Sequence, residues 1–257
     1  MSAALYEIRG MTKRYNRKLV LDRLDFDILR GECLVILGRS GSGKSVTLRQ
    51  LNGLETPEEG SVVFDGTDLT KLEERDLFPF RQRIAMLFQS GALFDSMNVF
   101  DNIAFPLREH TRRTEGEIAE IVRRKLDMVR LKDGDVERKM PSDLSGGMRK
   151  RVALARSLAL DPEVVLFDEP TTGLDPVTSA TIGKLINSIR KELGVTAVVV
   201  THDIALARRV GDRLAFLSEA RLRFVGDWQA ADRSDDMELG NFLAGREDDE
   251  EAQEHVA

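Results

Sequence analysis

The chain has little of several things, and each shortage closes off a class of function. One cysteine, Cys33, stands among 257 residues, so neither an internal disulfide nor a cysteine-cluster metal site can form. It lies within the apolar run Cys33-Leu34-Val35-Ile36-Leu37, where a small buried core residue is the natural reading. No apolar run approaches the ~20 residues that span a bilayer. Runs such as 33–37 and 197–200 have strand length. Residues 1–9 lack a basic start followed by an apolar core, so no secretory leader is read there. The expectation is a chain that stays in the cytoplasm and meets a membrane only through a partner. Basic excess is missing too: 44 acidic side chains against 38 Lys and Arg give a net charge of −6. That balance argues against broad nucleic-acid binding. Part of the acidic excess gathers in Glu247-Asp248-Asp249-Glu250-Glu251, which reads as a solvated, disordered end.

What is present is an alternation of short apolar runs and helical periodicity. Strands are predicted at 6–8 and 26–28, on either side of the basic stretch Lys13-Arg14-Tyr15-Asn16-Arg17-Lys18. The continuous run 33–37 suits a strand buried on both faces. A glycine-rich turn follows, then a helix through about Leu51 that Asn52-Gly53 ends. A strand at 61–64 closes on the turn Asp65-Gly66. From 90 to 144 the texture becomes helical, with helices predicted at 98–105 and 115–129. The second presents Ile118, Ile121, Val122, Leu126 and Val129 on one face. After Ser145 come a helix to 160, a strand at 164–167, a helix at 177–193 and a strand at 196–200. A helix at 204–210 and strands near 214–217 and 222–225 complete the pattern. The class is α/β with a largely parallel sheet, interrupted by a helical insert.

Three segments carry chemistry. Gly38-Arg39-Ser40-Gly41-Ser42-Gly43-Lys44-Ser45 fits the phosphate-loop pattern G-x-x-x-x-G-K-[ST] and lies where it must, between a buried strand and a helix that continues through Val46. Its glycines let backbone N–H groups turn toward phosphate oxygens, and the helix N-terminus adds partial positive charge. Lys44 is placed to reach the β- and γ-phosphates of ATP, and the Ser45 hydroxyl to ligate Mg²⁺. The second segment, Val164-Val165-Leu166-Phe167-Asp168-Glu169-Pro170, is a buried strand ending in two carboxylates, which in an open parallel sheet face the ligand crevice. Alone, Asp-Glu-Pro is an ordinary turn. Beside a phosphate loop, Asp168 becomes a Mg²⁺ ligand and Glu169 the base that polarises the attacking water. The third, Leu144-Ser145-Gly146-Gly147-Met148, is on its own residues a capped helix start with open N–H groups.

The order of phosphate loop, Gln89, Leu-Ser-Gly-Gly, Asp-Glu-Pro, Gly173-Leu174-Asp175 and His202 resembles the ATP-binding cassette (ABC) ATPases over residues 5–226. That resemblance implies a phosphate-loop NTPase fold with an antiparallel β subdomain, spanning 1–230, with the helical subdomain about 90–144 inserted. A helix and the acidic tail would fill 231–257. It implies that Tyr15 stacks on adenine, that Gln89 senses Mg²⁺ as a ligand and links to the insert, and that His202 contacts the γ-phosphate. Asp175 would contact the opposing subunit. Ser145, Gly146 and Gly147 would meet the γ-phosphate bound by another copy, which makes a head-to-tail homodimer around two ATP the expected assembly.

Two longer matches narrow the branch. Leu87-Phe88-Gln89-Ser90-Gly91-Ala92-Leu93-Phe94 with Met97-Asn98-Val99-Phe100-Asp101-Asn102, and Phe105-Pro106-Leu107-Arg108-Glu109-His110-Thr111, resemble the Mla/Mce phospholipid-transport ATPases. Met148, where general members carry Gln, points the same way. The resemblance implies a bacterial inner-membrane complex that maintains outer-membrane lipid asymmetry. Two ATPase copies at the cytoplasmic face would drive two permease subunits, with an Mce-domain lipid-binding protein in the complex. Phe94, Met97 and Phe100 are candidates either for the permease contact or for the core of the insert. Thr171-Thr172-Gly173-Leu174-Asp175-Pro176 is the general cassette form, and a long carboxyl extension is expected to be absent or reduced. Rival readings are a cassette for amino acids or cell division, a soluble cassette protein of DNA repair or translation, and a module that holds ATP without hydrolysing it. The second usually has two cassettes or a coiled-coil insertion, and the presence of Glu169 and His202 disfavours the third.

Overall fold

The structure is a computed structural model that describes residues 3–132 and 134–246. The acidic segment 247–251 lies outside them. In chain order the elements are β1 (Ala4–Tyr15), β2 (Lys18–Leu29), β3 (Cys33–Leu37), α1 (Lys44–Leu51), β4 (Glu59–Phe64) and β5 (Thr67–Asp68), then α2 (Glu74–Arg83), β6 (Ile84–Leu87), α3 (Val99–His110) and α4 (Glu115–Met128). They continue with α5 (Gly146–Ser157), β7 (Val164–Asp168), α6 (Pro176–Leu193), β8 (Thr196–Thr201), α7 (Ile204–Val210), β9 (Arg213–Ser218), β10 (Arg221–Asp227), α8 (Trp228–Asp232) and α9 (Met237–Leu243). The chain packs as two units, one from residues up to 71 with 200 onward, the other from 72 to 199. The α/β class read from the sequence is the class the structure has. No helix among the described residues is long and apolar enough to cross a membrane.

In the first unit β2, β1, β4 and β5 form an antiparallel sheet in that order. Both β1 and β2 run for 12 residues, far beyond the short strands read from the sequence. The basic stretch is the tip of their hairpin. Asn16 and Arg17 take φ of 47° and 70° there, and Tyr15 pairs with Lys18. Positive φ at both central residues gives the turn the hand that matches strand twist. Tyr6 and Phe64 pack ring to ring at 4.8 Å, and the Tyr6 hydroxyl donates to the Leu51 carbonyl at the end of α1. Elsewhere in this unit β3 runs parallel to β9, which pairs antiparallel with β10. Cys33 is fully buried, as its apolar run implied. Its N–H donates to the Asp212 carboxylate at 2.9 Å, and Asp212 N–H returns to the Cys33 carbonyl at 2.9 Å.

In the second unit β6 and β7 are parallel, with Ile84 opposite Val164 and Leu87 opposite Phe167. A two-pronged pair from Arg83 to Glu163, at 2.6 and 2.9 Å, locks their starting ends together. Among the described residues the span 90–144 holds only helical elements: α3, α4 and single 3₁₀ turns at Val136–Arg138 and Pro141–Asp143. The sequence stops the first of these helices at 105, before Pro106, yet α3 continues to His110. Pro106 removes one helical N–H, but Ile103, Ala104 and Leu107 are buried around it, and that packing carries the helix through. The second helix begins on a reciprocal cap, in which Thr114 and Glu117 each bond the other's backbone N–H. Helix α2 was not read from the sequence. It contains Pro79 and buries only Leu77, so it has almost no apolar face to signal it.

Asn102, fully buried on α3, fastens the loop that precedes this helix. Its carboxamide oxygen accepts from Phe94 N–H at 2.9 Å, and its NH₂ reaches the carbonyls of Phe94, Met97 and Asn98 at 3.1, 2.9 and 3.0 Å. Replacing it strands buried backbone groups, whose desolvation is the expensive part of losing a hydrogen bond. Asn102→Ala should therefore cost about 2–3 kcal/mol in urea unfolding. A loss below about 0.5 kcal/mol, the level of an ordinary surface change, would show that the loop does not hang on this side chain.

Candidate functional site

The phosphate loop is shaped by a close approach of main chain to main chain. Strand β3 ends at Leu37 opposite Phe216 of β9, and the chain then passes over the end of β9. A Cβ on Gly38 would lie 2.2 Å from the Leu217 carbonyl oxygen and 2.6 Å from Ser42 Oγ, so only glycine fits. At Gly43, φ is 105° and a Cβ would meet the Val20 carbonyl at 2.8 Å. The Lys44 side chain, 6% exposed, folds back into this ring, its ammonium donating to the Gly38 and Arg39 carbonyls at 2.8 Å each. Ser42 N–H closes the turn on Arg39 at 3.2 Å, while the buried Ser42 Oγ has no hydrogen-bond partner among the described residues. Arg39 and Ser45 are half-buried, Ser40 and Gly41 exposed, and Val46 buried in the first turn of α1. A ring without Cβ atoms at its tightest points, holding an orphaned hydroxyl and an ammonium turned toward the loop's own carbonyls, fits a phosphate chain. An anion would offer that ammonium a stronger, charge-assisted partner.

Tyr15 lies at the end of β1 and is 38% exposed. Its hydroxyl donates to the Glu55 carboxylate, which also accepts from Arg49 Nε on α1 at 2.6 Å. Burial pushes the Tyr15 phenol up, and the bond to Glu55 adds to this. Burial alone would raise the Glu55 carboxyl as well, but hydrogen bonds from Tyr15 and Arg49 hold it below the ordinary range. The candidate adenine ring partner is thus tethered through Glu55 and Arg49 to the helix that opens with the phosphate loop. His202 follows β8 and is exposed. The backbone beside it is turned by Asp203, whose N–H donates to Thr201 Oγ1 at 3.0 Å and whose carboxylate caps Leu206 N–H at 3.0 Å.

In the second unit the parallel register brings Gln89 and the carboxylate pair to the same end of adjacent strands: Leu87 faces Phe167, and each chain then leaves the sheet. Asp168 and Glu169 are 7% and 8% exposed. Glu169 has φ of 47°, a left-handed backbone that costs a non-glycine residue about 1–3 kcal/mol and is typical of groups held in a functional aim. Thr172 Oγ1 donates to Glu169 Oε2 at 3.3 Å. Within this unit the Asp168 carboxylate and the Gln89 amide oxygen are hard-oxygen donors of the kind that could hold Mg²⁺.

Ser145 caps α5 by accepting from Met148 N–H at 3.3 Å, and both it and Gly146 are exposed. Gly147 is pressed against α6: a Cβ there would lie 2.7 Å from Thr178 Cγ2. Thr178 is itself held by Asp175, whose carboxylate takes the Val177 and Thr178 N–H groups at 3.0 Å each and the Thr178 hydroxyl at 2.5 Å. The Thr178 hydroxyl first, then these N–H groups, pull the Asp175 carboxyl below its usual range. The structure therefore gathers Ser145, Gly146, Gly147 and the exposed Asp175 along one edge. Phe94, Met97 and Phe100 are not core residues. Phe94 is 36% exposed, edge-on to Phe105 at 4.9 Å and under the Arg156 guanidinium at 4.2 Å, while Met97 and Phe100 are half-buried.

Sequence reasoning missed Glu55, Arg49 and Lys150. The first two look like ordinary surface charges, and only the hairpin that delivers Tyr15 brings them into play. Lys150 lies in Arg149-Lys150-Arg151, which looks like an ordinary basic stretch of the helix after Ser145, but it is 8% exposed and donates to the Gln89 carbonyl. If the pass of Gly38 over β9 shapes the loop, Gly38→Ala should weaken binding of a fluorescent ATP analogue at least about tenfold, ~1.4 kcal/mol. Unchanged affinity would contradict that account.

The profile of the ABC transporter family matches residues 21–172. Among curated proteins, the probable ribonucleotide transport ATP-binding protein mkl of Mycobacterium leprae is 45% identical over 93% of this chain and 69% of its own length. The intermembrane phospholipid transport system ATP-binding protein MlaF of Haemophilus influenzae is 39% identical over 96% of this chain and 93% of its own. Among solved structures, the dimeric ATP-binding cassette MJ0796 in a post-hydrolysis state bound to ADP and Pi superposes with a TM-score of 0.80 at 32% identity, covering 86% of this chain and 98% of that one. Glycine loop, carboxylate pair and Ser-Gly-Gly turn thus stand in a chain that matches these proteins over most of its length, and the chain belongs to the ABC transporter family.

Proposed function

We propose that the chain is the ATP-hydrolysing subunit of a bacterial membrane transporter that moves phospholipid, working as a homodimer on two permease subunits at the cytoplasmic face of the inner membrane. The observation that carries the substrate class is the match to the phospholipid-transport protein MlaF over 93% of that protein's length. The resemblance of residues 87–111 to the same branch supports it and implies an Mce-domain lipid-binding protein as a further partner. A second reading, ribonucleotide transport, is favoured by the higher identity, 45%, to the mycobacterial mkl protein.

In the reaction, N–H groups of the 38–45 loop would wrap the β- and γ-phosphates, and Lys44 would leave the Gly38 and Arg39 carbonyls for phosphate oxygens. Ser45, Asp168 and Gln89 would hold Mg²⁺, which supplies charge neutralisation at the β- and γ-oxygens. Glu169 would take the proton of the attacking water, its carboxylate steadied by Thr172. His202 would contact the γ-phosphate, and Tyr15 would stack on adenine. One loop and one Ser-Gly-Gly turn per chain call for two copies, each lending Ser145, Gly146 and Gly147 to the ATP held by the other, with Asp175 at the contact. Phe94, Met97 and Phe100 are the side chains proposed to receive the permease.

The test is to purify the Glu169→Gln form with ATP from membranes in mild detergent. It should retain unhydrolysed ATP in a complex with two copies of the chain, membrane permease subunits and bound phospholipid. A complex carrying ribonucleotide beyond the two trapped ATP, and no lipid, would replace the lipid assignment by the second reading. A lone chain that turns ATP over at the wild-type rate would contradict both the base and the dimer.

A further inference from the structure

Helix α5 begins on the Ser-Gly-Gly turn, and one stripe of its surface grips the segment that starts at Gln89. Lys150, 8% exposed, donates its ammonium to the Gln89 carbonyl. One turn on, Gly91 lies so close to Ala153 that a Cβ on the glycine would be 3.3 Å from the alanine Cβ. Three residues further on, Arg156 donates to the Ala92 carbonyl at 2.7 Å. Positions 150, 153 and 156 share one helix face by their spacing of three. They hold residues 89–92 along α5 like rivets. The Gln89 loop and the helix that presents Ser145 are therefore one mechanical part within this unit.

Lys150 differs from the other rivets in its electrical surroundings. A buried ammonium bound only to a carbonyl is costly unless opposite charge lies near. Burial does push the Lys150 ammonium down, and the charges of Asp168 and Glu169 oppose that push. The register agrees: Leu87 opposite Phe167 puts Gln89 and Glu169 each two residues beyond a paired position, at the same end of neighbouring strands. One cation thus serves the main chain of the proposed Mg²⁺-sensing residue and the field of the proposed base.

We propose that Lys150 is a positioning residue for ATP hydrolysis, its ammonium fixing the Gln89 main chain and, through its charge, the aim of the Glu169 carboxylate. This rests on the ATPase reading above. Lys150 touches neither nucleotide nor water in this role and acts only through Gln89, Asp168 and Glu169.

The experiment measures steady-state ATP hydrolysis and thermal unfolding of the full chain in its membrane complex for wild type, Lys150→Met and Lys150→Arg. The methionine keeps the stem and removes the charge, and the arginine keeps a charge that can reach the same carbonyl. The expected result is a near-wild-type melting temperature and KM for Lys150→Met with kcat lowered about 10- to 100-fold, the scale of a misplaced catalytic group. Lys150→Arg should recover most of that loss. Wild-type kcat in Lys150→Met would overturn the proposal. So would a fall in kcat that tracks a fall in melting temperature in both variants, or failure of both to fold, since the lysine would then be a structural post. A wild-type complex that hydrolyses no ATP would instead overturn the ATPase reading itself, and this proposal with it.

Discussion

Strands β3, β7 and β8 bury every one of their residues, and that single constraint decides where chemistry can occur. A strand with no solvent-facing side cannot carry a polar working group along its length without the cost of desolvating it. Each can offer polar groups only where it leaves the sheet. The glycine loop follows β3, Glu169 follows β7 with Asp168 as its last residue, and His202 follows β8. Carboxyl ends of such strands are where open parallel sheets bind ligands. The placement of these groups is thus a consequence of hydrophobic burial before it is a feature of catalysis.

Backbone carbonyls then do much of the holding. Lys44 is bound by the Gly38 and Arg39 carbonyls, Lys150 by that of Gln89 and Arg156 by that of Ala92. Carbonyl dipoles help satisfy a buried cation without neutralising it. At Lys44 the anion proposed to draw on that charge is the phosphate chain of ATP. At Lys150 it is the protein's own carboxylate pair. The two lysines have similar burial, 6% and 8% exposed, and opposite proposed roles: one to meet the ligand, the other to steady the groups that act on it.

How far the sequence could be read follows from what kind of signal each part leaves. Apolar runs such as 33–37 and 164–168 announce buried strands, and G-x-x-x-x-G-K-[ST] between strand and helix announces its own turn chemistry. The β1–β2 hairpin was legible only in part, because its positive-φ turn is built from Asn16 and Arg17 without a glycine. Pro106 looked like a terminator and is overridden by the packing of α3, and α2 has too little apolar periodicity to be seen. Glu55 and Lys150 were invisible for a different reason. Their roles depend on partners 40 and 61 residues away, and no local pattern records such a meeting.

At the centre of the account is a nucleotide site completed by a second copy of the chain. Mixing two differently crippled chains tests this directly. One carries Lys44→Ala, which disables its own loop, and the other Ser145→Arg, which disables the turn it lends. Each should be inactive alone. If loop and turn come from different copies, the mixed dimer has one site with both defects and one with neither, and ATP hydrolysis should return. If each chain completed its own site, the mixture would stay as inactive as its parts, and that result would contradict the account.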